Sequence, residues 1–163
     1  MIMNNPVSST QFTLSVEEWI KESEKGPVPQ AEITLSGYSM QPLIRYGRDT
    51  VTVSQITRPP EVGDIVLFRR RDGVYVMHRI KKITDDSIIT IGDNCIREDS
   101  PIRHDQVCGL AVKTVRNGRS INLDSRRQRI YGKLWMLTLP LRRPVYLLRH
   151  YAGAVRKRLR KKK

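Results

Sequence analysis

The chain is predicted to fold mainly as β-structure, in a compact, coiled, barrel-like domain with a short N-terminal helix and a basic helical tail. Short segments rich in Val, Ile and Thr alternate apolar and polar side chains with a period of two. Asp72-Gly73 and Asn117-Gly118 are typical hairpin turns between such segments. Many short strands joined by close turns favour a barrel-like body.

Three regions are predicted along the 163 residues: an N-terminal helix and linker (1–30), the β domain (31–124) and a helical tail (125–163). Gly26-Pro27 would end the first helix, which we expect from about residue 15. The predicted strands are residues 31–35, 50–56, 64–70, 74–83, 87–91, 107–115 and 120–123.

The tail differs from the rest of the chain in charge and in periodicity. All 16 Asp and Glu precede residue 125, whereas 14 of the 30 Lys and Arg follow residue 124, and the formal net charge is +14. Apolar residues three and four apart form two helical stripes, which are Ile130, Leu134, Leu137 and Leu141, then Val145, Leu148, Ala152, Val155 and Leu159.

A basic amphipathic helix of this kind is typical of segments that lie on an anionic membrane surface. Trp135, Tyr146 and Tyr151 would suit the headgroup boundary. The alternative is that the stripes pack on the β domain and only the last Lys/Arg residues are free. The sequence therefore predicts an interaction tail and leaves its occupant open.

No metal or cofactor is predicted. Cys95 and Cys108 have no metal-ligand spacing and are expected to be reduced thiols, and His104 and His150 lie in no ligand motif. The first ten residues resemble no export signal, and no apolar window reaches the ~18 residues of a membrane span. We therefore expect a cytoplasmic protein, in part peripheral on the inner membrane surface.

Three motifs in order carry the side chains of an acyl-transfer site. Residues 36–42 (Ser-Gly-Tyr-Ser-Met-Gln-Pro) present Ser39 on a turn, residues 76–80 (Val-Met-His-Arg-Ile) carry His78 on a strand, and residues 92–94 (Gly-Asp-Asn) follow another strand. A serine hydroxyl becomes a nucleophile only when a nearby base takes its proton, and neutral histidine is suited to that role. The ordinary alternatives are a turn serine and a core histidine.

With residues 62–66 (Val-Gly-Asp-Ile-Val), these motifs resemble the type I signal peptidases, and most closely the endoplasmic-reticulum and archaeal branch, which uses His as the base. The Ser-Gly-x-Ser-Met opening also resembles the self-cleaving SOS repressors of the same superfamily. The resemblance covers about residues 31–115. It implies a serine endopeptidase with Ser39 as nucleophile and His78 as general base, acting on a leader- or signal-like peptide that binds as an added strand.

The resemblance leaves the acid open. Asp99 matches the acid that orients the histidine in the reticulum branch, Asp93 is expected to be a structural acid lining the site, and Glu98 is an alternative orienting group. The Ser39 N–H is the expected oxyanion donor. Ser36 is a second candidate, since Gly37 stands where many signal peptidases have a serine.

Two other classes of function compete with this one. A non-catalytic peptide-binding module could keep the same fold, and a nucleic-acid-binding regulator would use the basic tail. No helix-turn-helix pattern precedes the β domain, and a Lys/Arg tail alone binds nucleic acid without regard to sequence. Nucleic acid is therefore the less favoured partner, and a peptide or protein substrate the favoured one.

Overall fold

A computed structural model describes residues 16–142 and Pro144, which form a β domain with a helix at each end. Helix α1 spans Val16–Lys25 and helix α2 spans Arg126–Leu137. Between them lie β1 (Ala31–Thr34), β2 (Thr50–Ser54), β3 (Ile65–Arg69), β4 (Tyr75–Ile83), β5 (Ile88–Ile91), β6 (Val107–Arg116) and β7 (Arg119–Asn122). The predicted mainly β fold is confirmed.

The strands form one antiparallel sheet in the order β1-β2-β6-β3-β4-β5, and β7 pairs with β6. The pairing shifts register between Thr52 and Val53, between Leu67 and Phe68, and between Ile80 and Lys82. Such bulges bend a strand and increase its twist. The sheet accordingly curls into a half-barrel, which is the form that the predicted barrel-like body takes.

Both faces of β3 are buried. Ile65 and Leu67 belong to one apolar cluster, whereas Val66 and Phe68 belong to another, because successive side chains of a strand point to opposite faces. This explains why β3 is an uninterrupted apolar run instead of an alternating one. Trp19 of α1 lies in the first cluster, and its Nε1–H donates to the carbonyl of Pro29 at 2.8 Å.

Helix α2 packs on the β domain through one face. The Ser125 hydroxyl caps its first turn by accepting from the Gln128 N–H, and Met136 packs with Ile91 in a third apolar cluster. Arg129 forms ion pairs with Asp64 at 3.7 Å and Asp124 at 3.2 Å. The start of the predicted tail is thus held on the body by apolar contacts and by charge.

The first predicted stripe of the tail points away from this interface. Its members are exposed: Ile130, Leu134, Leu137 and Leu141. The second stripe, at 145–159, and the two tail tyrosines lie outside the described residues, as does the stretch 1–15. Within the described part of the chain, no helix is both long and apolar enough to cross a membrane.

Candidate active site

Ser39 lies in the loop between β1 and β2, and the apolar core and Arg116 of β6 hold this loop in place. Met40 is fully buried in the first apolar cluster. Arg116, at the end of β6, donates to the carbonyl of Leu43 at 2.7 Å and pairs with Asp49 at 3.2 Å. The loop therefore presents the partly buried Ser39 just before a backbone segment that is anchored to the core and to β6.

His78 is buried on β4 among apolar neighbours. It shares a strand face with Val76 and Ile80, and the centre of its ring lies 6.3 Å from that of Phe68. The predicted strand around this histidine is present as β4. Packing on this face restricts the imidazole, so that its two nitrogens face different surroundings.

Nδ1 of His78 lies 2.6 Å from Oδ2 of Asp99. The hydroxyl of Thr90 donates to the same oxygen at 2.6 Å. Burial raises the pKa of Asp99, but the hydrogen bonds from His78 and Thr90 outweigh it, so the pKa lies below its usual value. Because an ionised carboxylate only accepts, Nδ1 carries the proton, and Nε2 of the neutral ring is left as an acceptor.

Gly92 brings the other edge of the imidazole close to the serine loop. A Cβ atom at this position would lie 3.0 Å from Nε2 of His78 and 2.8 Å from the backbone oxygen of Ser39. The N–H of Asn94 donates to that same oxygen at 2.7 Å. A side chain at position 92 would therefore push Ser39 and His78 apart, which explains the glycine in the Gly-Asp-Asn motif.

The hydrogen bonds among residues 16–142 do not include one between Oγ of Ser39 and Nε2 of His78. Catalytic hydrogen bonds are often long before substrate binds, so this does not exclude the pair. The Ser39 N–H donates to none of the described residues. Ser36 is exposed and forms no hydrogen bond with the described part of the chain, so its oxyanion role stays a prediction.

Asp93 pairs with Arg79 and not with His78. Its two carboxylate oxygens accept from Nε and Nη2 of Arg79 at 2.8 and 2.7 Å, and both residues are almost fully buried. Trp135 of α2 donates its Nε1–H to the Asp93 carbonyl at 2.9 Å. Asp93 is thus built as a structural acid that holds the loop after β5 against the sheet and the helix.

The glycine of the Val-Gly-Asp motif, Gly63, packs beside the buried Arg79–Asp93 pair. The carbonyl of Gly63 accepts from Nη1 of Arg79 at 2.7 Å. Gly63 has a φ of 101°, and a Cβ atom there would lie 2.7 Å from the backbone oxygen of Arg129 in α2. On the helix, a Cβ atom at Gly132 would lie 2.9 Å from the guanidinium carbon of Arg79. Gly63 thus lets its loop approach the backbone of α2, and Gly132 lets the helix approach the buried arginine.

Glu98, the alternative orienting acid, forms no hydrogen bond with the histidine among the described residues. Glu98 is exposed and pairs with Lys81. Sequence reasoning assigned no role to Thr90, whose only signal is a polar side chain within an apolar strand, or to Arg79, whose signal is its place beside His78 in the motif. The structure connects each of them directly to one of the two aspartates.

An open cavity of about 600 Å³ lies on the Asp99 side of the site. Its lining residues are Phe68, Arg70, Arg71, Asp72, Glu98, Asp99, Ser100, Pro101, Ile102 and Gln106.

Burial raises the pKa of both free thiols, Cys95 and Cys108, so neither is an activated nucleophile. Within the described residues, no group of three or more His, Cys, Asp or Glu is arranged to hold a metal.

In comparisons with known proteins, no model of a protein family matches the chain, and no curated protein matches it either.

Proposed function

We propose that the protein is a serine endopeptidase in which Ser39 is the nucleophile, His78 the general base and Asp99 the residue that orients the base. The observation that carries the proposal is that the two nitrogens of the His78 ring face Asp99 on one side and the Ser39 loop on the other. Its Nδ1 is bonded to Asp99 at 2.6 Å, and its Nε2 edge faces the backbone of Ser39 across Gly92. Acyl transfer by a serine needs a histidine that an acid orients on one side and that lies beside the nucleophile on the other, and these two contacts support that arrangement.

In this reaction Nε2 of His78 takes the proton of the Ser39 hydroxyl as Oγ attacks the carbonyl carbon of the peptide bond. The imidazolium then gives that proton to the leaving amine, and an acyl group remains on Ser39. Water, deprotonated by the same nitrogen, hydrolyses the ester and restores the serine. Asp99 keeps the ring in the required tautomer and stabilises its charged form.

The Ser39 N–H is the proposed oxyanion donor. Preorganised donors directed at the developing charge commonly supply a large part of acyl-transfer catalysis. The anchored loop supports this role, because the Asn94 side-chain amide donates to the Tyr38 carbonyl at 3.2 Å just before the donor and Met40 is fully buried just after it.

The proposed substrate is an extended, leader- or signal-like peptide. Strand β1 pairs with β2 and with no other strand of the described chain, and it ends five positions before Ser39. A peptide added to this free edge would run toward the nucleophile. The cytoplasmic location stays a prediction, which cell fractionation tests.

The test is cleavage of a proteome-derived peptide library, with new N-termini identified by mass spectrometry. Wild type should cleave a defined set of sites, and Ser39→Ala and His78→Ala should cleave none of them, with thermal unfolding unchanged for Ser39→Ala. Ser120→Ala, on the exposed face of β7, is the matched control and should behave as wild type. An acyl adduct trapped on Ser39 would identify the nucleophile directly.

Cleavage that survives Ser39→Ala in a preparation free of other proteases contradicts the proposal. Library peptides that bind but stay intact would instead favour the peptide-binding module. Affinity for nucleic acid that persists at high salt would favour the regulator, since purely electrostatic binding is lost there.

A further inference from the structure

Helix α2 has two apolar faces, of which the β domain covers one. The inner face is buried at Gly132 and Met136 and fixed by the Trp135 hydrogen bond. The outer face leaves four large aliphatic side chains exposed to solvent: Ile130 (49%), Leu134 (59%), Leu137 (74%) and Leu141 (72%). An outer stripe of this kind is unusual for the solvent side of a helix, which is normally polar.

The stripe is continuous along the helix. Its members are spaced four, three and four residues apart, so neighbours lie above one another on one face. Helical conformation resumes at residues 139–142 after the turn at Thr138, and Leu141 extends the row. We call these four residues the outer stripe.

Positive charge flanks the outer stripe. Arg126, Arg127 and Lys133 are exposed, and the first and last of them lie four residues before Ile130 and Leu137 on the same helix surface. The other two arginines of this segment face inward, where Arg129 pairs with Asp64 and Asp124 and Arg142 bonds to the Asp93 carbonyl. Arg126, Arg127 and Lys133 form no ion pair with the part of the chain that the structure describes and are thus available to a partner.

No acidic residue occurs from residue 125 to the end of the sequence, and residues 145–163 add eight more Lys and Arg. The partner of this region must therefore offer negative charge. It must also offer an apolar phase for four aliphatic side chains, which the phosphate backbone of a nucleic acid lacks. A second copy of the chain would bring the same +14 charge against it.

From these observations we propose that the outer stripe with Arg126, Arg127 and Lys133 is a docking surface for anionic lipid bilayers. The helix lies in the plane of the interface, with the aliphatic side chains among the acyl chains and the basic ones at the headgroups. The inner face holds the Asp93 loop, so the docked helix sets the distance of the Ser39–His78 region from the membrane. This inference is independent of the proposed peptidase activity.

The experiment is co-sedimentation of the full chain with vesicles of phosphatidylglycerol and phosphatidylcholine in equal parts, and with phosphatidylcholine alone. Wild type should bind the anionic vesicles, and binding should weaken with salt. Leu134→Gln and Leu137→Gln should each reduce the partition constant by about tenfold, given the apolar surface removed. Ile56→Gln combined with Val74→Gln removes exposed apolar side chains elsewhere and is the matched control.

All these positions are exposed, so circular dichroism and the unfolding temperature should not change. Failure of wild type to bind the anionic vesicles at low salt overturns the proposal. So does unaltered binding by the Leu134→Gln/Leu137→Gln double variant, which would mean that basic charge alone attracts the lipid. A stripe-dependent dimer in sedimentation velocity, or stripe-dependent binding to duplex DNA without vesicle binding, would assign the surface to another partner and overturn it as well.

Discussion

His78 and Arg79 are neighbours on β4, and each pairs with an aspartate from the segment after β5, yet the two pairs are built differently. The His78 and Asp99 side chains are 10% and 23% exposed, and one hydrogen bond at 2.6 Å joins them. The Arg79 and Asp93 side chains are only 1% and 2% exposed, and two hydrogen bonds join them beneath α2.

The difference suits the Arg79–Asp93 pair to a structural role and the His78–Asp99 pair to proton transfer. A guanidinium keeps its charge at any accessible pH, so a dry, bidentate pair with Arg79 can lock the loop after β5 in place. An imidazole can gain and lose a proton near neutral pH, and its carboxylate partner stays within reach of solvent and of the open cavity. On strand β4, Arg79 thus holds the loop after β5 in place, and its neighbour His78 presents the titratable ring.

Breaking the buried pair should have the largest effect on stability. Arg79→Met leaves the Asp93 carboxylate buried without its partner, which should cost about 3–5 kcal/mol of the free energy of unfolding. Urea unfolding followed by circular dichroism measures it. The double variant Arg79→Met/Asp93→Asn removes both charges and should recover part of the loss.

Arg103→Met is the matched control for this prediction. It breaks the exposed ion pair between Arg103 and Asp105, and no measurable change in stability is expected. If Arg79→Met were no more harmful than this control, the buried pair would not be what holds the loop.

Breaking the open pair should affect activity much more than stability. In Asp99→Asn the amide can donate to Nδ1 of His78, which would leave the proton on Nε2 and remove the base. If the proposed peptidase activity is correct, kcat/KM for a cleaved library peptide should fall by about 10²–10⁴-fold. The free energy of unfolding should change by less than about 1 kcal/mol.

Glu98→Gln makes the same chemical change one residue away, on a side chain that pairs with Lys81, and should leave kcat/KM unchanged. Equal losses in the two variants would mean that the orienting acid has been misassigned.

The smallest expected effect concerns Thr90, which supports Asp99. Thr90→Val removes a hydrogen bond to the carboxylate in a nearly isosteric way, so the pKa of Asp99 should rise toward its usual value. We expect a loss in kcat/KM of about tenfold and a loss in stability of about 1 kcal/mol. Thr90→Ser keeps the hydroxyl and should retain most of both.

The stability lost in Thr90→Val should depend on pH. Because the folded pKa of Asp99 is lowered, its ionisation stabilises the fold above the unfolded pKa of about 3.9, and this contribution is lost as pH falls through the lower folded pKa. The stability difference between wild type and Thr90→Val should therefore shrink in that acidic range. A difference that stays constant down to the lowest pH would show that the hydroxyl acts through packing alone.

Period-two alternation and turn chemistry were sufficient to predict the strands, because both are local. The pairs Asp72-Gly73 and Asn117-Gly118 form turns with positive φ, and His78 occupies the face that alternation from Val76 and Ile80 predicts. The motif around Ser39 likewise contains its own turn and its buried Met40. For these features the determining contacts lie within a few residues.

Which acid pairs with His78 was decided by the tertiary structure. Asp93, Glu98 and Asp99 lie within seven residues of one another, and composition alone cannot tell which of them meets His78. Their partners come from other elements, since β4 and β5 must pair in register before Thr90 and His78 converge on one carboxylate. Only the motif resemblance favoured Asp99, and only the folded sheet shows the contact.

The orientation of α2 was decided in the same way. The sequence by itself determined that a helix with an apolar stripe and basic residues follows the β domain. Two faces of that helix are apolar, however, and the choice between them depends on close contacts such as the one at Gly132, where the lack of a side chain lets the helix backbone approach Arg79. The rotation of a helix about its axis is set by such close contacts with distant residues, so the exposure of Leu134 and Leu137 is a property of the tertiary structure alone.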